Sequence, residues 1–291
     1  MADAGRYMGA AGSPRVPEAG QAPAIRRLDA GRKRVSFGDF FAHRRVLNVI
    51  ASRDLRARYM QSVLGPAWLV IQPFGLLIGL LVGFASALHV KTNGVPYPLF
   101  ALCGLSAWSY FQAALTAGSN CFILNAVLIQ RTPAPRIAFP SAALISTLPS
   151  LFFTVAAALI WSGASGRLAW RIVLLPVGMV WLLILAAGAV LIFSSLAVFF
   201  RDIANATPFV LQVGVFLAPI GYPLSHGGGL VATVLRLNPL TGTIELFRTA
   251  MISGYSPDVT ALVFGAAAAA VLLAVGWYIF SRVESAMADV I

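Results

Sequence analysis

Six long apolar stretches, none of which contains Asp, Glu, Lys or Arg, divide the chain after residue 66. Each is close to or longer than the about 20 residues that a helix needs to cross a bilayer. Because backbone polar groups in lipid must be paired within their own segment, these stretches are predicted to be transmembrane helices. They cover about residues 67–88, 98–121, 138–162, 172–199, 205–222 and 259–280. The pattern predicts an all-α integral membrane protein in which residues 63–291 form a six-span transmembrane domain.

The chain before the first span has a different pattern. In residues 36–62, apolar side chains recur at roughly helical spacing with arginines between them, which is typical of an amphipathic helix at the membrane interface. Residues 1–35 contain no apolar run and are predicted to be a disordered cytoplasmic tail. Arg53, Arg56 and Arg58 lie just before the first span. They either anchor the helix among lipid phosphates or bind an anionic lipid head group.

The segment between the fifth and sixth spans is too long for a turn and too apolar for an exposed loop. Two short helical patterns, at residues 230–237 and 243–252, flank a break at residues 238–242. Neither pattern is long enough to span, and both are predicted to be half-helices that dip back into the outer leaflet. Pro219, Pro223 and Pro239 are predicted to interrupt the helices.

Two opposite charges lie on the second of these half-helices. Glu245 and Arg248 are three residues apart, so they are predicted to pair and neutralise each other rather than bind a ligand. The candidate residues of this outer-leaflet segment are Pro223, Asn238, Pro239, Glu245 and Arg248.

Composition and charge placement agree with a membrane protein. The chain is 59% hydrophobic and 11% charged, whereas a soluble domain is about a quarter charged. Twelve of the 21 basic residues lie in the first 60 positions, which favours a basic membrane-proximal patch over nucleic-acid binding. An even number of spans puts both termini on one side. The positive-inside rule places that side in the cytoplasm.

Several kinds of chemistry are disfavoured by what the sequence lacks. No predicted span carries an ionisable carboxylate or cation, as ion-coupled carriers normally do. The three histidines are far apart, and no metal site is predicted. Lys33 follows Arg32 and Lys91 follows Val90, so neither forms the Gly-Lys pair of a P-loop. This chain is therefore predicted to hold no cofactor, and ATP and magnesium would belong to a separate subunit.

A series of different short motifs occurs along the chain from residue 53 to the last residue. They are Arg53-Asp54-Leu55, Arg58-Tyr59, Leu64-Gly65 with Trp68, Gln72-Pro73, residues 94–100, Asn125 with Leu128-Ile129, Pro135-Arg136 with Pro140, Arg201-Asp202, Pro219 with Tyr222-Pro223, Asn238-Pro239-Leu240-Thr241 with Glu245 and Phe247-Arg248, and Glu284 with residues 288–291. In this combination the chain resembles the permease subunits of ABC-2 type transporters that export polysaccharides such as O-antigen, teichoic acid and capsule. One departure is that Ala134 stands where that family usually has an aromatic residue before Pro-Arg, with an extra proline at Pro133.

The resemblance implies a homodimer with a channel between its subunits, two cytoplasmic ABC ATPase subunits below it, and a glycan on a polyprenyl diphosphate lipid as cargo. It implies that the helix before the first span, with Arg53, Arg56, Arg58 and Tyr59, gates the channel at the head-group level. It also implies a coupling helix that docks the ATPase. The candidate coupling residues are Asn125, Gln130, Arg131, Arg136, Arg201 and Asp202.

Aromatic side chains in the spans have two interpretations. Sugar C–H faces pack well on aromatic rings, so these side chains are candidates to line the path of a glycan. Alternatively, they pack in the core or face lipid. The candidates are Trp68, Trp108, Tyr110, Phe111 and Phe122.

The sequence therefore predicts a polysaccharide export permease that is not itself an enzyme. One alternative is an exporter of the same architecture for a drug or a small lipid. Another is a membrane-embedded glycosyl- or acyltransferase, although such an enzyme needs a base or a carboxylate pair near the interface. The chain offers only isolated acidic residues.

Overall fold

The computed structural model describes residues 44–59, 63–92, 94–131, 134–224 and 229–284. In these ranges the chain forms helices joined by short connections and contains no strand, which confirms the predicted all-α fold. The predicted tail, residues 1–35, lies outside the described residues, as does the beginning of the predicted amphipathic helix.

Eleven α-helices occur in the described residues. They are α1 Arg44–Tyr59, α2 Trp68–Leu80, α3 Tyr97–Leu124, α4 Ala126–Arg131, α5 Ala138–Ser146, α6 Leu148–Ala164, α7 Leu175–Phe199, α8 Arg201–Leu217, α9 Gly229–Leu237, α10 Pro239–Met251 and α11 Val259–Val283. A 3₁₀ turn at Gly65–Ala67 leads into α2, a π-helical stretch at Leu81–Ala87 continues it, and a 3₁₀ turn at Trp170–Leu174 leads into α7.

Five of the six predicted spans coincide with helical segments that are long and apolar enough to cross a membrane. These segments are Gly65–Ala87, Tyr97–Leu124, Ala138–Ala164, Trp170–Phe199 and Val259–Val283. The chain is therefore a multi-pass membrane protein.

The remaining predicted span, residues 205–222, coincides with α8, which has 17 residues and ends at Leu217. A 17-residue helix is about 25 Å long, slightly less than the about 30 Å of a bilayer core. Helix α8 ends where it does because Ala218 precedes a proline and takes an extended conformation (φ −101°, ψ 138°). A sixth span thus stays a prediction.

The spans pack closely where small residues meet. Gly188 of α7 faces the backbone of α11, and a Cβ atom placed on Gly188 would lie 2.5 Å from the carbonyl carbon of Leu272. Gly276 of α11 faces the Gly188 carbonyl in return. Small residues of this kind let two membrane helices approach closely enough for extensive van der Waals contact.

Helix α1 packs against the protein through its apolar face. Leu47, Ile50 and Ala51 are buried in a cluster with Phe122 of α3 and Phe139 of α5. Arg45, Arg53, Arg56 and Arg58 of this helix are exposed. The amphipathic pattern of this helix therefore reflects packing against the rest of the protein.

The break predicted at residues 238–242 is shorter in the structure, since Asn238 alone separates α9 from α10. The Asn238 side chain caps α10 by accepting a hydrogen bond from the Leu240 amide at 3.0 Å, and Pro239 occupies the first turn, where its missing N–H is tolerated. Gly242 is helical. The position requires a glycine, because a Cβ atom on it would be 2.6 Å from the Ala261 carbonyl oxygen.

Candidate functional site

Polar contacts between helix ends fall into two groups. One group includes α1 and is called the α1 side, and the other includes α10 and is called the α10 side. At the α1 side, Arg53 of α1 contacts Asn125 at the end of α3, and Arg136 before α5 donates to the Glu284 carbonyl after α11. At the α10 side, Arg167 after α6 donates to the Gly94 carbonyl before α3 at 2.9 Å. The charged residues of the described chain are thus concentrated at the two ends of the helices.

At the α1 side, Arg53 joins two elements that the sequence pattern treats separately. Its guanidinium donates to Asp54 Oδ1 at 2.7 Å and also to the Asn125 side-chain oxygen. Asn125 is buried, and its Nδ2 donates to the Cys121 carbonyl at 2.8 Å, which holds the amide in place. The predicted gate helix and the predicted coupling segment are therefore in direct contact.

The other candidate head-group residues differ in their surroundings. Arg56 is exposed, whereas Arg58 lines a cavity described below. Tyr59 is the last residue of α1, and its side chain lies outside the described residues. All three arginines are exposed, and Arg58 is the one that lines this cavity among the described residues.

The candidate coupling residues are also divided. Gln130 lies exposed on α4, and Arg131 ends that helix with a side chain outside the described residues. Arg136 is held by the Glu284 carbonyl. Arg201 and Asp202 are exposed in the first turn of α8.

A cavity of about 910 Å³ lies between α1, α2, α3 and α6. Helix α3 contributes Ser109, Gln112, Thr116 and Asn120 to its wall, and α2 contributes Trp68, Gln72, Pro73 and Leu76. Arg58 is the one charged side chain among the described lining residues. The lining on α3 extends from Ser109 to Leu124, a distance of about 22 Å at 1.5 Å per residue.

The aromatic candidates differ in whether they line this cavity or pack in the core. Trp68 is 40% exposed and lines it. Trp108, Tyr110 and Phe122 are buried in the core, and Phe111 is partly buried against it. Tyr110 and Phe122 thus pack inside this chain. Trp108 does not line the cavity, but its indole nitrogen donates a hydrogen bond at 2.9 Å to Oε1 of Gln112, which does.

The sequence analysis missed the polar stripe Ser109-Gln112-Thr116-Asn120. Its members recur every three or four residues, which puts them on one face of α3. That spacing within an otherwise apolar span was a usable signal. These residues make Tyr97–Leu124 the least apolar of the five candidate spans, but the helix stays apolar enough to be taken for an ordinary transmembrane helix.

At the α10 side, Arg248 is fully buried and connects three elements. Its Nη2 donates to the Pro219 and Ile220 carbonyls at 2.6 and 3.0 Å, and its Nη1 lies 3.3 Å from Glu245 Oε1. The guanidinium carbon lies 3.5 Å from the centre of the Phe100 ring, a cation–π contact. Arg248 therefore joins α10 to α3 and to the connection after α8.

Glu245 is satisfied by further donors. The Tyr255 hydroxyl donates to Oε1 at 2.8 Å, and the Asp258 backbone amide donates to Oε2 at 3.1 Å. Burial raises the pKa of the Tyr255 hydroxyl, so this group keeps its proton and remains a donor. The predicted pairing of Glu245 with Arg248 is present, within a larger network.

Asp258 ends this network at the start of α11. Burial raises the pKa of its carboxyl, but hydrogen bonds from the Ala261 amide and from Arg236 outweigh that effect, and the pKa lies below its ordinary value. Arg236 of α9 donates to Asp258 Oδ2 at 2.8 Å. Of the remaining candidates, Pro223 is buried after α8, while Asn238 and Pro239 begin α10.

Comparison with known proteins gives relatives along most of the chain. The sequence profile of the ABC-2 type transporter family matches residues 45–252. The O-antigen export system permease protein RfbA of Klebsiella pneumoniae is 28% identical over 214 residues, which cover 72% of this chain and 81% of that protein. RfbA of Myxococcus xanthus is 26% identical, covering 85% of this chain and 94% of its own. The polysialic acid transport protein KpsM of Escherichia coli is 25% identical, covering 81% and 92%.

The matched range contains α1 from Arg45 onward, the residues that line the cavity, and Glu245 and Arg248, and it ends before Tyr255 and Asp258. The family profile covers well over half of the 291 residues, and the resemblance inferred from the short motifs is confirmed. The chain therefore belongs to the ABC-2 type transporter family.

Proposed function

We propose that this chain is the permease subunit of an ABC transporter that exports a polysaccharide, carried on a polyprenyl diphosphate lipid, across a bacterial inner membrane. The observation that carries the proposal is the cavity between α2 and α3. It has hydrogen-bonding side chains on one wall, an indole on the other, and Arg58 at the α1 side. Sugar rings have the matching combination of hydroxyl groups and apolar C–H faces. The names of the relatives support the same cargo class.

The energy for export comes from a separate ATPase subunit in two copies. The two lysines of this chain, Lys33 and Lys91, cannot serve a P-loop. ATP and magnesium therefore bind to the partner, and this chain acts as the transport subunit and not as an enzyme. Helix α4 and the first turn of α8, with Arg201, form the docking surface at the α1 side. The Arg53–Asn125 contact supports this role because it connects the docking helix to α1.

A homodimer completes the transport path. Gln212 lies on the exposed surface of α8, eleven residues after Arg201, which is about 16 Å along the helix. An amide at that depth is disfavoured against lipid, so the face that carries it is better suited to a second copy or to a polar channel. This position supports packing of two copies along α8 with the channel between them.

In this arrangement the α1 side faces the cytoplasm, together with both termini, and the α10 side faces the periplasm. Helices α9 and α10 have 9 and 13 residues, too few to span, and act as re-entrant half-helices that close the outer end. Exposed Arg53, Arg56 and Arg58 near the cytoplasmic leaflet agree with the positive-inside rule.

The test is deletion of the gene, followed by complementation with the unchanged chain. Loss of surface polysaccharide, with lipid-linked glycan accumulating inside the cell, is expected because cargo is assembled but not moved. Complementation should restore surface polysaccharide only when a separate ATPase subunit is present. A strain that keeps its surface polysaccharide but becomes drug-sensitive would indicate a drug exporter. Turnover of a lipid-linked donor by the purified chain without ATP would indicate an enzyme.

A further inference from the structure

The polar stripe on α3 marks a surface that is not built for lipid. Ser109, Gln112, Thr116 and Asn120 are each partly exposed and all line the cavity. The α3 residues before them, from Leu99 to Trp108, are buried. Uncharged polar side chains at membrane depth are disfavoured against hydrocarbon, so a row of four on one helix face indicates contact with water or with a polar ligand.

Two amides of the stripe are held by neighbouring groups. Trp108 Nε1 donates to Gln112 Oε1 at 2.9 Å, which leaves the two Nε2 hydrogens of Gln112 for other partners. Asn120 Nδ2 donates to the Thr116 carbonyl at 3.0 Å, which leaves Asn120 Oδ1 as an acceptor. The stripe therefore offers hydrogen-bond donors at Gln112 and an acceptor at Asn120, eight residues or about 12 Å further along the helix. Hydroxyl groups, which both donate and accept, suit such a wall.

The opposite wall is provided by α2. Trp68 and Gln72 are four residues apart, on the same face of the helix, with Pro73 and Leu76 beside them. An indole face with an amide one turn away suits a sugar ring, because the ring stacks its C–H face on the indole while its hydroxyls reach the amide. The two walls together match a chain of sugar residues.

The charge of the lining restricts which sugars fit. Arg58 of α1 is the single charged group among the described lining residues. One arginine suits the one anionic group of a lipid-linked glycan, the phosphate or diphosphate that joins the sugar to its lipid. A glycan with a carboxylate on each sugar would place several anions against amides and hydroxyls without cations, which is unfavourable away from bulk water.

We infer that this cavity is a subsite for uncharged sugar residues. In it, Arg58 binds the phosphate at the lipid end and the Gln112–Asn120 stripe binds hydroxyls of the sugars next to it. The inference rests on the proposed function and narrows it, since it selects a neutral glycan over a polyanionic one. It assigns specificity to uncharged residues of α3 as well as to the arginines of α1.

The test uses the complete transporter, this chain with its ATPase subunit, reconstituted in lipid nanodiscs. Three probes are compared by their stimulation of ATP hydrolysis. They are polyprenyl diphosphate alone, the same lipid with a neutral trisaccharide, and the same lipid with a trisaccharide of carboxylated sugars. The neutral probe is expected to act at the lowest concentration. A carboxylated probe that acts at an equal or lower concentration would overturn the inference.

Variants separate the stripe from the lipid end. Gln112→Met and Thr116→Val keep the side-chain shape and remove the hydrogen-bonding groups. Each is expected to raise the half-maximal concentration of the neutral probe by about tenfold, the effect of losing one or two hydrogen bonds. Neither should change the response to polyprenyl diphosphate alone, whereas Arg58→Gln should weaken the response to all three probes.

The matched control is Thr154→Val on α6. This threonine is buried, donates to the Ser150 carbonyl at 2.8 Å and does not line the cavity, so its removal should leave all three responses unchanged. Stripe variants that respond like the unchanged chain, with stimulation by the neutral probe intact, would overturn the subsite and leave the proposed function in place. Stimulation by none of the three probes would overturn both.

Discussion

The α10 side and the α1 side of this protein use arginine in opposite ways. Arg248 is fully buried, and its guanidinium is occupied by Glu245, two backbone carbonyls and the Phe100 ring. The Arg53 side chain is 48% exposed, and its contacts with Asp54 and Asn125 leave one face toward solvent. The same residue type is thus fully buried within the fold at one end and about half exposed at the other.

The difference follows from solvation. A buried charge stabilises a fold only when its partner and hydrogen bonds are all in place, and removing one member leaves an uncompensated charge. An exposed pair contributes little to stability because water and salt screen it. Changes at the α10 side should therefore act on stability, and changes at the α1 side on transport.

The largest effect is expected at Arg248. Arg248→Leu leaves the Glu245 carboxylate buried without its cation and should lower stability by about 3–5 kcal/mol. The measurement is the midpoint of thermal unfolding of the purified chain in detergent. The double variant with Glu245→Leu should recover part of the loss, because both charges are then absent. Arg45→Leu, at an exposed position on α1, is the control, and equal midpoints for Arg248→Leu and Arg45→Leu would contradict the comparison.

An intermediate effect is expected at Asp258, which is partly exposed. Asp258→Ala removes both the cap of α11 and the pair with Arg236 and should reduce stability by about 1–2 kcal/mol. Asp258→Asn keeps a capping oxygen and should lose less, since an exposed pair adds at most about 1 kcal/mol.

The pH dependence of the Asp258 effect has a defined sign. Because the pKa of this carboxyl is lowered in the folded chain, its stabilising contribution is present at neutral pH. The difference between the unchanged chain and Asp258→Asn should therefore shrink as the pH falls below the ordinary carboxyl pKa of about 3.9. Unfolding midpoints measured across that range check this, and a difference that grows on acidification would contradict it.

The smallest effect on stability is expected at Arg53. Arg53→Gln should change stability by less than about 0.5 kcal/mol, yet reduce ATP hydrolysis stimulated by glycan lipid, since α1 loses its contact with Asn125. Arg53→Lys keeps the charge but not the planar fork, and should restore stimulation only partly. Arg45→Gln is the control for both readouts. A large loss of stability in Arg53→Gln would place Arg53 with Arg248 as a structural arginine.

Much of the helical architecture was predictable because membrane helices must satisfy their own backbone and avoid charge over about 20 residues. The prediction was less accurate at the ends of helices and at the breaks between them. Pro219 ends α8 at Leu217, before the predicted end of that span. Gly242, taken as part of a break, lies within α10, where close packing against the backbone of α11 leaves no room for a side chain.

The candidate site was predictable only in part. The sequence identified Arg58 and Trp68, which lie near each other along the chain and meet at the cavity. It could not distinguish these cavity-lining residues from the buried aromatics Tyr110 and Phe122, because burial depends on which helix packs against which face. The Gln112–Asn120 stripe is visible in the sequence as a period of three to four residues, but its meaning requires knowledge of the helix that lies opposite.

The sequence by itself determined that the chain is helical, membrane-embedded and basic at the α1 side, since these follow from local runs of apolar and charged residues. It also contained the ordered motifs that indicated the ABC-2 type family. Only the tertiary structure decided that Arg53 meets Asn125, 72 positions later, and that Arg248 reaches the carbonyls of Pro219 and Ile220. Contacts between distant residues depend on helix packing, which many sequences of the same apolar pattern satisfy in different ways.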